Sequence, residues 1–208
     1  IRALLRETAQ PVAVVTCFMP SSQPPSLLAS SASQTFHGAT LSSFTSISMS
    51  PYPLVAFSLR VPSRTATALS SALNAPLCIN LLSAPQSSTA RIFSRPDLHP
   101  RPFEALQWSS TKEGLPTIHG SLGALSCRLV GSAWPLHDLD ALGSGSSGHS
   151  DQVEAEEDRG DGVASELFIA RVIRVEEVPS AEGIADDASR ALPLLYHRRT
   201  YATAGDFP

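Results

Sequence analysis

Phe36-His37-Gly38-Ala39-Thr40-Leu41-Ser42-Ser43-Phe44-Thr45-Ser46-Ile47-Ser48-Met49-Ser50-Pro51-Tyr52-Pro53 is the stretch whose reading decides the fold of this 208-residue chain. Six Ser or Thr hydroxyls fall within the nine residues Thr40 to Ser48, directly ahead of the apolar run Leu54 to Leu59. Neither a core strand nor a linker explains that density. Alternate residues of a strand face opposite ways, so the spacing predicts Thr40, Ser42, Ser46 and Ser48 on one side and Ser43 and Thr45 on the other. A row of this kind can donate to the oxygens of a flat, polar-edged ligand. Pro51 and Pro53 punctuate the join to the next strand, because each lacks a backbone donor and biases its predecessor toward extended geometry.

Upstream, Val12 to Phe18 is β-branched and apolar and reads as a buried strand. It follows a short amphipathic helix over Ile1 to Ala9, which Pro11 ends. The Ser- and Pro-rich segment Pro20 to Gln34 reads as a long hairpin connection. Downstream, Thr65 to Leu73 has helical spacing with Ser63 as N-cap, Leu77 to Leu82 is a strand and Ser87 to Phe93 a helix. Leu122 to Val130 and Glu166 to Val178 are the last two clear strands. About six strands at short spacing with two or three brief helices predict an antiparallel barrel or sandwich. Residues 139–164 hold Gly-Ser-Gly-Ser-Ser-Gly and then Glu154, Glu156, Glu157, Asp158 and Asp161, too polar to order itself; it is expected to be a flexible acidic insertion in a single domain spanning 1–208.

A net charge of −4 with scattered arginines argues against a nucleic-acid partner. No run approaches the ~18 apolar residues of a membrane span. Cys17, Cys78 and Cys127 lie far apart in apolar surroundings, which predicts buried, reduced thiols rather than a disulfide or zinc framework. The histidines form no H-x-H, H-x-x-H or H-E-x-x-H pair, so no metal is assigned. His37 is placed near the rim of the hydroxyl strand's pocket, whereas His99, His119 and His149 receive no role. Glu156-Glu157 and Asp186-Asp187 read as solvated charge. An intracellular compartment is expected, the cytoplasm first; because the sequence opens on Ile1, a preceding segment is expected, with mitochondrial targeting as the alternative.

The order of pieces resembles the flavin reductase-like family of FMN-binding split-barrel proteins. The pieces are Pro11-Val12-Ala13-Val14-Val15-Thr16, then Gly38-x-Thr40-x-Ser42-Ser43-Phe44-x-Ser46-x-Ser48-x-x-Pro51-x-Pro53, then Ser63-x-Thr65 and Ile79-Asn80-Leu81-Leu82. Gln86 with Ala90 and Phe93, Gly114-Leu115-Pro116 with Gly120 and Cys127, and Pro193-Leu194-Leu195-Tyr196-x-x-Arg199-x-Tyr201 extend the likeness from about Arg2 to Tyr201. The resemblance implies a mainly β, six-stranded antiparallel Greek-key split barrel with short flanking helices. It also implies a homodimer whose interface helps enclose flavin, and in some systems a monooxygenase partner.

Carried over by position, Thr40, Ser42, Ser43, Phe44 and Thr45 would line the isoalloxazine and ribityl chain, and Ser63, Arg64 and Thr65 would take the flavin phosphate. A turn opening a helix directs unpaired amides at an anion, and Arg64 can add a charge-assisted contact. His197 lies in the terminal segment that the resemblance sets near the flavin; an exposed basic strand end is the alternative. FMN is the implied cofactor, with FAD as the other option, and NADH or NADPH is the reductant.

Family members carry Gly-Asp-His before the strand that begins here at Glu166, whereas this chain reads Val163-Ala164-Ser165-Glu166, with Ser165 in the histidine's place. His137-Asp138 could substitute if the insertion loops out. Hydride passes directly between nicotinamide and flavin, so the protein's task is to position the two, and no catalytic side chain is assigned. Two functions stand: an NAD(P)H-dependent flavin reductase, or a non-catalytic FMN-binding module or accessory subunit that has lost the nicotinamide site. A split barrel holding another flat ligand, such as heme or coenzyme F420, is a third.

Overall fold

The computed structural model describes residues 1–20, 35–138, 164–180 and 192–204. Among them the strands are β1 (Gln10–Pro11), β2 (Ala13–Phe18), β3 (Phe36–Leu41), β4 (Thr45–Ser48), β5 (Leu54–Arg60), β6 (Pro76–Leu81), β7 (Trp108–Ser110), β8 (Pro116–Ile118), β9 (Gly123–Leu129), β10 (Trp134–Pro135), β11 (Ser165–Glu176), β12 (Leu194–His197) and β13 (Thr200–Thr203). The helices are α1 (Arg2–Leu5), α2 (Arg64–Ser70) and α3 (Ser87–Ser94).

The main sheet runs β3-β2-β6-β9-β11-β5-β4, antiparallel at every pairing. Its two outer strands, β3 and β4, are consecutive in sequence and separated only by Ser42–Phe44, so the sheet returns on itself through one segment. Counted that way the barrel has six strands, as the resemblance implies. The hydroxyl of Ser43 seals the joint: it accepts from the Ser58 N–H at 2.9 Å and donates to the Ser58 carbonyl at 3.2 Å.

That joint corrects the sequence reading of a single alternating ladder. Ser42–Phe44 leave the strand, and a register shift between Ser46 and Ser48 opposite β5 breaks the two-residue period again. The row of hydroxyls on one face is therefore not formed.

β2 explains why Val12 to Phe18 is apolar throughout. Ala13, Val15 and Cys17 point into the barrel with Leu41, Phe57, Ile79 and Phe168, while Val12 and Val14 pack outward with Leu82, Ala90, Phe93 and Leu194. Both faces of the strand are covered, so no polar alternation is called for. Phe57 and Phe168 are cross-strand partners whose rings stack at 5.4 Å and 10°, a contact worth ~0.5–1.5 kcal/mol beyond area burial.

Asn80 is buried in β6 and ties the barrel to the β7–β8 hairpin. Its side-chain oxygen accepts from the Ile118 N–H at 2.8 Å. Ser83 and Gln86 form a capping box ahead of α3; Ser83 also donates to the Gly120 carbonyl at 2.6 Å and Gln86 to the His119 carbonyl at 2.9 Å. These bonds fix where α3 starts. Its Ala90 and Phe93 then pack onto β3, so close to Gly38 that a Cβ there would lie 2.8 Å from Phe93 Cε1.

The helix predicted over Ile1 to Ala9 spans only Arg2–Leu5, with Ile1, Leu4 and Leu5 exposed. Four residues cannot repay helix nucleation without packing. Pro11 belongs instead to β1, which pairs with β12. The connection 21–34 and the insertion 139–163 lie outside the described residues. Cys17, Cys78 and Cys127 are buried and unpaired, and burial pushes the thiols of Cys17 and Cys127 up to about 12. No helix among the described residues is long and apolar enough to cross a membrane.

Candidate functional site

β3 forms the floor of an open cleft of about 1190 Å³. One wall is the end of β5 and the turn into α2, and the other is α3 with the hairpin of β12 and β13. Of the residues singled out from the sequence, Thr40, Ser42, Ser43, Ser63, Arg64 and Thr65 line this cleft. Phe44, Thr45 and His197 do not. Phe44 packs against the barrel core, exposed Thr45 donates to the Ser46 carbonyl, and His197 is half-buried at the end of β12, next to the cleft-lining Tyr196.

The hydroxyls differ in what they have left to offer. Thr40 donates to the Ala90 carbonyl of α3 at 2.7 Å, and Ser43 is engaged with Ser58. Ser42 is exposed, carries no hydrogen bond within the described residues and is free to donate. Thr40 retains only acceptor capacity. The density of hydroxyls that stood out in the sequence is thus spent in part on holding the barrel joint and α3.

At the α2 wall, Ser63 is the N-cap: its Oγ accepts from the Ala66 N–H at 3.1 Å, which leaves the hydroxyl proton available. Arg64 has no carboxylate partner among the described residues. Thr65 is buried, and its hydroxyl meets His37 Nδ1 at 2.8 Å. Burial, and then the charge of Arg64, hold the His37 imidazole below its ordinary value, so it is neutral near pH 7. His37 reaches this contact from the start of β3, clamping β3 to α2.

Sequence reasoning did not single out Arg60, Arg91 or the tyrosines Tyr196 and Tyr201 for this cleft, yet all of them line it. The Arg91 guanidinium lies 5.7 Å from the centroid of the Tyr201 ring. The signal available was weak: Arg91 is one polar position on a short amphipathic helix. Asp97 is the one acid among the described lining residues, and Arg95 pairs with it through two hydrogen bonds of 3.1 and 3.0 Å. The described lining is therefore cationic in a chain whose net charge is −4.

Ser165, which stands where the histidine was expected, lines the cleft at its pairing with Arg60. Its carbonyl accepts from the Leu136 N–H at 2.9 Å, which brings the β10 segment alongside; the adjoining His137 is exposed and outside the lining.

The donor set fits a phosphorylated, flat, polar-edged group: free hydroxyls at Ser42 and Ser63 and an unpaired guanidinium at Arg64, beside the half-buried Ala39 of β3. Residues 5–205 match the family model described as flavin reductase like domain. A curated relative, FMN reductase (NADH) SmoA of Agrobacterium fabrum, is 37% identical over 91 residues. That alignment covers 44% of this chain and 49% of the relative, so the match spans about half the length of each. The fold is shared with the styrene monooxygenase flavin reductase SMOB of Pseudomonas putida S12, at TM-score 0.63, 23% identity and coverage of 100% and 98% of the two chains. It is shared equally with the NADH:FAD oxidoreductase SgcE6 of Streptomyces globisporus, solved with NAD and FAD fragments, at TM-score 0.63, 21% identity and coverage of 99% and 91%.

Proposed function

From the premise that this chain belongs to the flavin reductase-like domain family, we propose that it binds FMN in the β3 cleft and serves as an NAD(P)H-dependent flavin reductase. The observation that carries this reading is the meeting of the β3 segment with the Ser63–Thr65 turn in one cleft, joined by the His37–Thr65 hydrogen bond. The free hydroxyl of Ser42 would donate to the polar edge or ribityl chain of the flavin. Ser63 donates its proton to the phosphate while holding α2, and Arg64 supplies the charge-assisted contact.

Bound flavin supplies the hydride acceptor, and the residues supply position and desolvation. No side-chain acid or base is assigned. SmoA and SgcE6 both carry NADH in their names, which favours NADH as the reductant.

A homodimer fits the exposed apolar side chains of Ile47 and Met49 by β4 and of Ile173 and Val175 on β11, the strand whose Arg171 guanidinium lies 4.4 Å from the Tyr52 ring centroid. A monooxygenase component that accepts reduced flavin is the proposed partner. Buried, unpaired cysteines support a reducing intracellular setting.

The test is oxidation of NADH and NADPH with FMN or FAD as acceptor. Flavin-dependent oxidation of at least one nucleotide is expected, and silence with both would remove the reductase reading. Ser165 in the cleft, with His137 outside its lining, favours the second reading, a flavin-binding module without turnover. Flavin uptake without nucleotide oxidation would decide for that one.

A further inference from the structure

The hairpin between β12 and β13 turns on Arg198 and Arg199, whose φ angles are +48° and +66°. Two consecutive left-handed residues are the setting that Asn-Gly or Gly-Gly ordinarily fills, because a Cβ there crowds the following carbonyl. Arginine at both positions is a strained choice, and strain of this kind persists where the surroundings hold it and a site uses it.

The surroundings do hold it. Arg198 Nε donates to Glu7 Oε2 at 2.9 Å, and the Arg198 N–H donates to the Arg6 carbonyl at 3.2 Å. With Arg198 tied to the N-terminal segment, Arg199 lines the cleft on the wall that also carries Arg91. Neither guanidinium has a carboxylate partner among the described residues. This wall is separate from the one formed by Ser63, Arg64 and Thr65: α2 reaches β3 through His37, whereas α3 reaches it through Thr40 and Gly38. At about 1190 Å³ the cleft exceeds the roughly 300–1,000 Å³ that houses one drug-sized ligand.

We propose that Arg91 and Arg199 form a second anion subsite, which takes the diphosphate of a dinucleotide while Ser63 and Arg64 take the flavin phosphate. It rests on the flavin reading only for the identity of the ligand on the α2 wall. A diphosphate matches two unneutralised guanidiniums in charge, and each can bind its oxygens through paired donors. The diphosphate can belong to FAD itself or to the nicotinamide dinucleotide. Glu7 is the positioning residue, acting on Arg199 through Arg198.

The test compares wild type, Arg199→Gly, Arg91→Ala and Glu7→Gln by calorimetric titration. ADP-ribose is titrated into the flavin-free protein, FMN and FAD likewise, and NAD+ into the FMN-loaded protein. Arg199→Gly should raise the Tm, since glycine accepts the positive φ freely. It should also weaken ADP-ribose about tenfold, the loss expected of one charge-assisted contact, and leave FMN unchanged. Arg91→Ala should weaken ADP-ribose similarly, and Glu7→Gln less. Whichever of FAD and NAD+ weakens alongside ADP-ribose identifies the source of the diphosphate.

The proposal is overturned if wild type ignores ADP-ribose, if both arginine variants bind it as wild type does, or if FMN weakens as much as ADP-ribose. Failure of FMN to bind would sink the flavin reading and leave the ADP-ribose comparison standing on its own.

Discussion

His37 Nδ1 and Thr65 Oγ1 meet at 2.8 Å across the gap between β3 and α2, joining residues 28 positions apart. The bond is half-buried, so Thr65→Val, which keeps the shape and removes the hydroxyl, leaves the imidazole nitrogen without a partner. Urea denaturation should show a loss of about 1–2 kcal/mol. Fluorescence titration should show weaker FMN binding, because α2 is no longer held against β3.

The same imidazole makes stability depend on pH. Its value in the folded chain lies below the ordinary 6.5, so the unfolded state binds the proton more readily. This contribution is complete above pH 6.5 and is lost as pH falls from there through the folded-state value. Denaturation midpoints measured from pH 8 down to 5 should fall for wild type and fall less for His37→Gln.

Ser63→Ala removes both the cap of α2 and the proposed phosphate donor. Loss of the cap is expected to cost ~1 kcal/mol of stability. The binding arm separates the two roles: affinity for FMN should fall while affinity for riboflavin, which lacks the phosphate, stays level. Equal losses for both ligands would assign Ser63 a structural role alone.

Gly38→Ala places a Cβ 2.8 Å from Phe93 Cε1 and 3.1 Å from the Val15 carbonyl oxygen. Phe93 is buried beside Ala90, so the ring has little room to yield. The substitution should destabilise the protein by about 1–3 kcal/mol and loosen α3 from the cleft. Adding Phe93→Leu should restore part of the loss, as read from chemical denaturation of the single and double variants.

Arg174 gathers Glu113 and Glu176, with Ser126 hydrogen-bonded to both carboxylates and to the guanidinium. The Arg174 hydrogen bond is the leading cause that holds Glu113 below the ordinary 4.5 of a glutamate; for Glu176 burial opposes the shift, and Arg174 with Ser126 outweighs it. Both groups therefore stabilise the fold above pH 4.5 and lose that contribution as pH falls below it. Arg174→Met should move the midpoint of acid unfolding, followed by circular dichroism, to higher pH.

How much was legible follows from which forces act locally. The strand at Val12 to Phe18 could be read because burial on both faces leaves an unbroken apolar run, and Ser63 because capping is a matter of three residues. The hydroxyl segment drew attention to the right place but suggested the wrong geometry. The two bonds from Ser43 to the Ser58 backbone, which close the barrel, depend on a partner 15 positions away that no periodicity announces. The β7–β8 hairpin, with strands of three residues each, falls below any periodic window. Arg91 and Arg199 became site candidates only when α3 and the β12–β13 hairpin were seen on one wall. Arg199 did leave a trace in the sequence, as Arg-Arg where a tight hairpin turn prefers glycine.

The central claim is that the cleft between β3 and α2 holds flavin by its phosphate as well as its ring. Anaerobic spectral titration of the purified protein with FMN, repeated with the double variant Ser63→Ala and Arg64→Ala, tests it most directly. Saturable uptake of FMN by the wild type, with at least a tenfold weaker affinity in the double variant and no change toward riboflavin, is the predicted result. A wild type that stays colourless with FMN and FAD alike, or a double variant that binds FMN as tightly as the wild type, would contradict it.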